Sequence, residues 1–559
     1  MDSCQGKRFG TASSSHEESY KDNAIDLQVS ALPKQQVSFR KAKVSGGTGK
    51  STRFSDDEYL VRLGKKPLLK REFGFMSMLG FSCTSLLTWE GILVNTVVAL
   101  LNGGPAGVVW GFLINWIGTL SVNACLAELS SIAPTAAGQY HWVAMLAPNS
   151  SRAFLSYMTA WLTTTAWQAM AGTMGYLIAT VLQGIVILGQ PLYEPKSWHT
   201  VLIAWATSIF AVLVNSTTGR ALSRFEGVVL VLHLAGFFGV IIPLVYLAPH
   251  NEPAAVFSTF LNEGGWSSQA LSFLVGFPSG ASPLVGADCA VHMSEEIQSA
   301  ASVVPSAIMW TITVNGTLGF AAMIAMLFCL TDLESALEAS ETMFYPFLEV
   351  FYAGVKSRGG AVAMSVVILM LAIASSVGIY ASASRMMWSF SRDRGIPFSK
   401  HVAKLSGKSK LPILAILITL GCSMVLVLIT LGSTVAFSVL VSQVLAALYS
   451  SYLLSCSLLL WRRCTGAIQP YSEEGTVLDA GRIYWGPWRV PGPLGIINNV
   501  FACLYVAFTL FWSFWPQNTP TTPQNGNWSP LTFGSILIFS TLYYVFRARH
   551  CFRGPIKEI

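Results

Sequence analysis

Beyond Arg71 the sequence alternates long apolar stretches with short polar breaks, and this alternation limits what the chain can fold into. Each stretch is about 20 residues long, the length that crosses the hydrocarbon core of a bilayer as an α-helix. The pattern therefore predicts an all-α polytopic membrane protein with twelve transmembrane helices. The predicted spans are 73–100, 105–129, 153–187, 199–216, 227–248, 269–290, 304–330, 361–388, 411–431, 434–460, 494–515 and 530–547.

The supply of charge agrees with a membrane environment. Charged residues make up 11% of the chain, less than half of the roughly 25% found in soluble domains. So few charges exclude a cytosolic enzyme, a disordered scaffold and a secreted disulfide-rich module. The net charge of +7 does not indicate nucleic-acid binding, because the basic residues cluster beside apolar spans. That placement is typical of contact with anionic membrane lipid.

The distribution of basic residues predicts the organisation and orientation of the chain. We expect a disordered cytosolic tail at 1–70, a twelve-helix domain at 71–550 and a cytosolic C-terminal tail at 551–559. An even number of spans puts both termini on one side. Beyond residue 71, that side carries eighteen basic residues, whereas the other carries only Lys196, Lys356 and Arg358. Because basic loops stay in the cytosol, we expect cytosolic termini, and the plasma membrane is the expected location.

Two spans depart from ordinary apolar helix. The first holds an acid, Glu90, deep in the membrane, and the sixth holds two prolines and two glycines between Gly276 and Pro283. Such a run interrupts a helix, and broken backbone at membrane depth persists only within protein or beside a wet cavity. Interrupted segments in corresponding positions of two halves indicate a solute-binding site. The predicted binding residues are Thr88, Trp89, Glu90, Gly91, Gly276, Phe277, Pro278, Ser279 and Gly280.

The ionisable residues near these spans allow several roles. An intramembrane acid is a functional candidate because its burial is costly, so we assign proton coupling to Glu90, with a purely structural hydrogen bond as the alternative. We interpret His233 in the fifth span as a packing residue. Glu295 and Glu296, after the sixth span, are expected to make gate or helix-end contacts. Neither a metal nor a cofactor is expected, because the histidines lack ligand spacing.

At these residues the sequence resembles the amino acid–polyamine–organocation superfamily, and within it the fungal amino acid/choline transporter branch with its choline and γ-aminobutyrate permeases. The resemblance extends from about residue 57 to 550. The matching residues are Leu79-Gly80-Phe81-Ser82-Cys83-Thr84, Trp89-Glu90-Gly91, Asn102 to Gly107, Ala127-Glu128-Leu129, Pro134 to Tyr140, Asp288, His292, Glu295-Glu296, Val304-Pro305, Ser384-Arg385 and Ser391 to Pro397.

The resemblance implies a five-plus-five inverted repeat of the LeuT-like kind, followed by two extra helices. It also implies that the first and sixth helices unwind around the substrate, at Thr88–Gly91 and at Gly276–Ala281, with the third and eighth helices completing the cavity. The expected activity is secondary transport, with protons as the coupling ion. The expected solute is a small amine such as an amino acid, γ-aminobutyrate or choline, held in part by the rings of Trp89 and Phe277.

Other functions remain open on the same scaffold. The chain could import or export an amine-like secondary metabolite, or serve as a nutrient-sensing receptor that signals through its long tail. A membrane-embedded enzyme is disfavoured, because the sequence has neither an HExxH pair nor paired intramembrane aspartates.

Overall fold

The computed structural model describes residues 56–217, 219–407, 409–432, 435–471, 482–522 and 526–558, with backbone alone for 435–441. Within these ranges, twelve helices are long and apolar enough to cross a membrane, which confirms the predicted fold class. They are Phe75–Leu101, Gly104–Ile132, Arg152–Gly189, Ser197–Asn215, Gly219–Leu247, Gln269–His292, Ala300–Cys329, Arg358–Arg392, Ile413–Leu431, Ser442–Cys464 within the longer helix Val435–Cys464, Gly492–Ser513 and Ser529–Phe546.

Shorter elements connect the spans. The two-residue strands Ile468–Gln469 and Ile483–Tyr484 pair in parallel. The remaining short helices are Asp56–Arg62, Gln139–Leu146, Pro253–Phe257, Leu333–Met343, Pro346–Val355 and Ser399–Val402, with single 3₁₀ turns at Ser294–Glu296 and Ala548–His550.

The first, second, third and eighth spans are the most buried of the twelve. About 70% of the most apolar window of each is buried in protein, compared with 11% for the twelfth span. A helix that is apolar and exposed all round suits a lipid boundary. The centre, by contrast, contains buried polar residues from several spans, and this is where a polar solute can be accommodated.

The segments predicted as tails are ordered where the structure describes them. Residues 1–55 of the predicted tail lie outside the described ranges. Lys65 is buried, with its Nζ 2.5 Å from Oδ1 of Asp393 at the end of the eighth span, and Phe552 is buried near the C-terminus. The polar composition of 1–70 predicted disorder, but within its described residues the charge of Lys65 finds a partner on the bundle. We call the face that carries residues 56–74 and 547–558 the basic face.

The first and fifth spans cross with their backbones in near contact. A Cβ atom built on Gly80 would lie 2.6 Å from the main-chain oxygen of Glu226. Small residues allow such close approach between membrane helices. The fifth span begins at Gly219, earlier than the predicted residue 227, so the crossing and Glu226 fall inside the helix.

We expect Gly80→Ala to destabilise the protein by about 1–3 kcal/mol, because the added methyl meets backbone that cannot move aside cheaply. The measurement is a melting temperature in detergent. Gly239→Ala is the control: it lies in the fifth span with no atom within 4 Å of the added Cβ, so its melting temperature stays equal to the parent's or rises. Equal melting temperatures for the two variants would contradict the proposed contact.

Candidate functional site

The first span breaks at a single residue. Leu87 has a left-handed backbone (φ 52°, ψ 48°) and separates the helices Phe75–Leu86 and Thr88–Leu101. This conformation costs a non-glycine residue about 1–2 kcal/mol. The first-turn amides of a helix, here those of Thr88, Trp89 and Glu90, have no acceptor in their own helix, whereas the Gly91 amide donates to the Leu87 oxygen at 2.7 Å. The break lies one residue before the predicted unwound segment Thr88–Gly91.

Neighbouring spans satisfy the carbonyl groups that this break releases. Asn315 Nδ2 in the seventh span donates to the Cys83 oxygen at 2.8 Å. Ser375 Oγ in the eighth span donates to the Ser85 oxygen at 3.3 Å. A buried carbonyl group without a hydrogen-bond partner costs free energy, so these two side chains stabilise the helix break.

The sixth span breaks later than predicted. The helix Gln269–Ala281 continues through Pro278, and the chain then runs through a 3₁₀ turn, Ser282–Leu284, and Gly286 (φ 112°) to the short helix Cys289–His292. The prediction that Gly276–Ala281 unwinds is therefore wrong.

Packing explains why the glycines of Gly276–Ala281 do not break the helix. A Cβ atom on Gly276 would lie 3.1 Å from Cβ of Asn102, and one on Gly280 would lie 3.1 Å from Nδ2 of Asn115. These glycines allow neighbouring backbone to approach closely. A proline such as Pro278 removes only one main-chain donor, and the helix tolerates that loss.

The two breaks are joined directly and enclose a cavity. Thr88 Oγ1 donates to the Pro283 oxygen at 2.8 Å, and Gly91 lies against the Pro283 ring. The cavity has a volume of about 110 Å³, enough for a solute of a few heavy atoms. It is lined by Ser85, Leu86, Leu87, Gly91, Asn95, Met170, Thr173, Met174, Leu177, Ser282, Pro283, Val285, Ser375, Ile379, Val444 and Leu445. The third and eighth spans border it as expected, and the tenth does so as well.

The chemistry of this cavity is polar but uncharged. Among its described lining residues, no side chain is ionisable, and the polar groups are hydroxyls and one amide. Thr173 Oγ1 is buried and has no hydrogen-bond partner within the described chain. The cavity can therefore hold a neutral or zwitterionic solute through hydroxyls and main-chain groups, without leaving a buried charge uncompensated.

Trp89 and Glu90 face the fifth span instead of the cavity. Glu90 Oε1 lies 2.8 Å from Nδ1 of His233, and both side chains are fully buried. Glu90 Oε2 and His233 Nε2 have no partner within the described residues. The Trp89 ring packs against Phe237 at 5.8 Å. Successive residues of a helix point about 100° apart, so that of Trp89, Glu90 and Gly91 only Gly91 reaches the cavity lining.

Phe277 lies on a different side of the site. Its ring meets Phe508 of the eleventh span edge to face at 5.5 Å, so Phe277 and Trp89 do not form an aromatic cage. With Gly276, Ser279 and Gly280 it lines a second cavity of about 30 Å³ between the first, second and sixth spans. Pro278 is buried in the helix. The structure therefore divides the predicted site residues among three places.

Sequence reasoning missed two buried acids near the breaks. Glu226 is fully buried and its Oε2 lies 3.0 Å from Oγ1 of Thr84; it was missed because the predicted fifth span began one residue later. Asp288, between the break and the second half of the sixth span, accepts bonds of 2.6 Å from Gln139 and Tyr452. It matched the resemblance, but no sequence signal indicated its partners.

Ion pairs close the basic face below the cavity. Arg385 Nε lies 2.9 Å from Oε1 of Glu296, and Arg392 Nη1 lies 2.8 Å from Oε2 of Glu295. Both arginines belong to the eighth span, and both acids follow the sixth. Glu295 and Glu296 thus make contacts at a helix end, one of the two expected kinds, and their role as a gate stays a prediction. We call these four residues the basic-face gate.

Known proteins resemble the chain over nearly all of this bundle. The profile of a family described as amino acid permease matches residues 73–538. A choline transporter of Saccharomyces cerevisiae is 27% identical, over 87% of this chain and 83% of that protein. A putative amino acid/polyamine transporter of Macrophomina phaseolina is 27% identical, over 81% and 96%. An uncharacterised amino-acid permease of Schizosaccharomyces pombe is 29% identical, over 89% of each chain.

We expect the bond between Thr88 and Pro283, which joins the two breaks, to stabilise the fold. We expect Thr88→Val to lower the free energy of unfolding by about 1–3 kcal/mol, because the Pro283 carbonyl is left buried without this donor. Thr88→Ser keeps the hydroxyl and should stay closer to the parent. Thermal unfolding in detergent makes the comparison, and a valine variant more stable than the serine variant would contradict the assignment.

Proposed function

Because this chain belongs to the amino acid permease family, which makes it a membrane transporter and not an enzyme, we propose that it carries a small amine-containing solute. The observation that supports this proposal is the cavity between the two broken spans. Candidate solutes are amino acids, γ-aminobutyrate and choline, and two of the relatives are named for choline or for amino acids and polyamines.

The cavity favours a zwitterionic amino acid over choline. The positive end of the Thr88–Leu101 helix dipole favours a carboxylate beside Leu87 and Gly91 in the cavity lining, and the carbonyl end of Gln269–Ala281 favours a cation. A quaternary amine is typically held by aromatic rings, but no aromatic residue is among the described cavity lining. Opposite charges on one solute also compensate each other in a cavity whose lining is uncharged.

We further propose that transport is coupled to protons at Glu90 and His233. An acid and an imidazole in hydrogen-bond contact can share a proton. Burial of ionisable groups at membrane depth is costly, which makes this pair a functional candidate. Glu90 lies on the first span, three residues beyond the break at Leu87, and His233 faces it from the fifth span. Protonation there can therefore act on the conformation of the break without contact with the solute.

The proposed orientation places the basic face in the cytosol. The described ion pairs leave many of its arginines and lysines exposed, and basic loops are retained on the cytosolic side. With both termini there, the plasma membrane is the proposed location, and anionic lipid is the proposed neighbour of this face.

Uptake in a yeast that lacks its own amine permeases tests the solute. Labelled neutral amino acids should enter more readily than labelled choline or polyamines. Thr173→Val should raise KM by about ten- to a hundredfold, because one hydroxyl bond to a charged group contributes about 1.5–3 kcal/mol and 1.4 kcal/mol is a factor of ten. The control is Thr165→Val on the same span, where the hydroxyl bonds only its own helix.

Two results would count against this assignment. Uptake of choline alone would overturn the zwitterion preference, and an unchanged KM in Thr173→Val would remove this cavity from the solute path. If no compound in the panel enters, a secondary metabolite or a sensing role becomes the better hypothesis.

Proton coupling is tested in vesicles with an imposed pH gradient. We expect the parent protein to accumulate solute towards the more alkaline side. Glu90→Gln and His233→Gln should lose this accumulation but retain exchange of labelled for unlabelled solute, since the cavity is intact. Glu334→Gln, at an exposed acid, is the control. Gradient-driven accumulation by Glu90→Gln at the parent's level would overturn the coupling site.

A further inference from the structure

The C-terminal residues fold back onto the basic face. Phe552 is 1% exposed, and its ring packs against Tyr157 at 5.1 Å and Phe390 at 6.0 Å. Burial of an aromatic ring against two others is a specific contact. The segment from Phe552 to Glu558 is therefore anchored on the third and eighth spans.

Glu558 joins this segment to two other parts of the chain. Its carboxylate accepts two hydrogen bonds of 2.7 Å, from Nε of Arg392 to Oε1 and from Nη2 to Oε2. Such bidentate pairs are among the strongest hydrogen bonds in proteins. The same carboxylate accepts the Lys66 amide at 2.9 Å. The Glu558 amide donates to the Gly64 oxygen at 2.7 Å. One residue thus ties the segment before the first span to the end of the eighth.

Asp393, next to Arg392, repeats this connection. Its Oδ1 accepts the Ile556 amide at 2.9 Å and also Nζ of Lys65. Tyr140 donates to Oδ2 at 2.8 Å. Asp393 and Lys65 are both buried, so water does not screen this ion pair. Separation of the two side chains leaves a buried charge without its partner, which is costly.

Arg392 connects the C-terminal segment to the basic-face gate. The guanidinium group that binds Glu558 also binds Glu295 after the sixth span. The basic-face end of the sixth span is thereby held to the eighth span through Glu295. The segment that leads into the first span is held there through Gly64, Lys66 and Glu558. Release of solute towards the basic face requires these ends to move away from the eighth span.

We propose that residues Phe552–Glu558 form a clasp that holds the basic-face gate closed and sets how readily it opens. This inference rests on the proposed function only in that it assumes alternating access. The clasp adds contacts that exist only while the gate is closed, so its loss shifts the population towards the open state.

The clasp persists at neutral pH. Burial alone would raise the pKa of the Glu558 carboxyl, but the hydrogen bonds from Arg392 and the Lys66 amide outweigh it and lower the pKa below its usual value. A lowered carboxyl pKa gives a contribution that is present above the usual value and lost only as pH falls through the lowered one. A change of pH near neutrality therefore does not release the clasp.

The test measures access to the cavity from the basic face. Val285→Cys places a thiol on the cavity lining, and a membrane-impermeant thiol reagent is added without solute to sealed vesicles in which the basic face of the protein is outward. Glu558→Gln should label on the order of tenfold faster than the Val285→Cys parent, because charged hydrogen bonds are lost only from the closed state. Lys557→Gln is the adjacent control. Protein without Val285→Cys gives the background from native cysteines.

Deletion of 558–559 is the second variant, and it should label at least as fast as Glu558→Gln. Equal labelling of the deletion variant and Lys557→Gln, at unchanged melting temperature, would overturn the clasp. The labelling needs no solute, so it separates the two proposals. Faster labelling in a protein that transports no amine supports the clasp while the proposed solute class fails. Amine transport with unchanged labelling overturns the clasp alone.

Discussion

The need to pair backbone groups at membrane depth shapes the centre of this protein. No water competes for an amide or carbonyl in the hydrocarbon, so a helix can break only where protein supplies partners. Asn315 and Ser375 supply them at Leu87, and Thr88 supplies one across to the sixth span. Polar residues in the seventh and eighth spans are thus explained by a break in the first. The cavity lies between the two breaks, where some of their backbone groups already have hydrogen-bond partners in the protein.

The number and class of the helices could be predicted from sequence because apolar length is a strong signal. The positions of the breaks could not. Gly276, Pro278 and Gly280 resemble a helix breaker in sequence, yet they serve close packing. Leu87 carries no breaking signal at all, because a leucine in a left-handed conformation is imposed by its surroundings. Local composition describes what a segment can do, whereas tertiary contacts decide what it does.

The site residues were predicted as a segment, but a helix distributes a segment over several directions. Glu90 and Gly91 are neighbours in sequence, yet one faces the fifth span and the other the cavity. Without the rotational position of the first span, an acid in the membrane cannot be assigned to the solute or to a partner helix. His233 was interpreted as a packing residue for the same reason, since its partner belongs to another span. The separation leaves the cavity lining free of ionisable side chains.

The close crossing at Gly80 has a mechanical consequence. The helix Phe75–Leu86 touches the fifth span near its own midpoint, with about 7.5 Å of helix on one side of Gly80 and about 9 Å on the other at 1.5 Å per residue. Because backbone contact at Gly80 opposes sliding of this half-helix, we infer that it moves chiefly by tilting about Gly80. An outward swing of Phe75 at the basic face then carries Leu86 by a similar distance in the opposite direction. A tilt that moved Phe75 would therefore also move the cavity wall at Leu86.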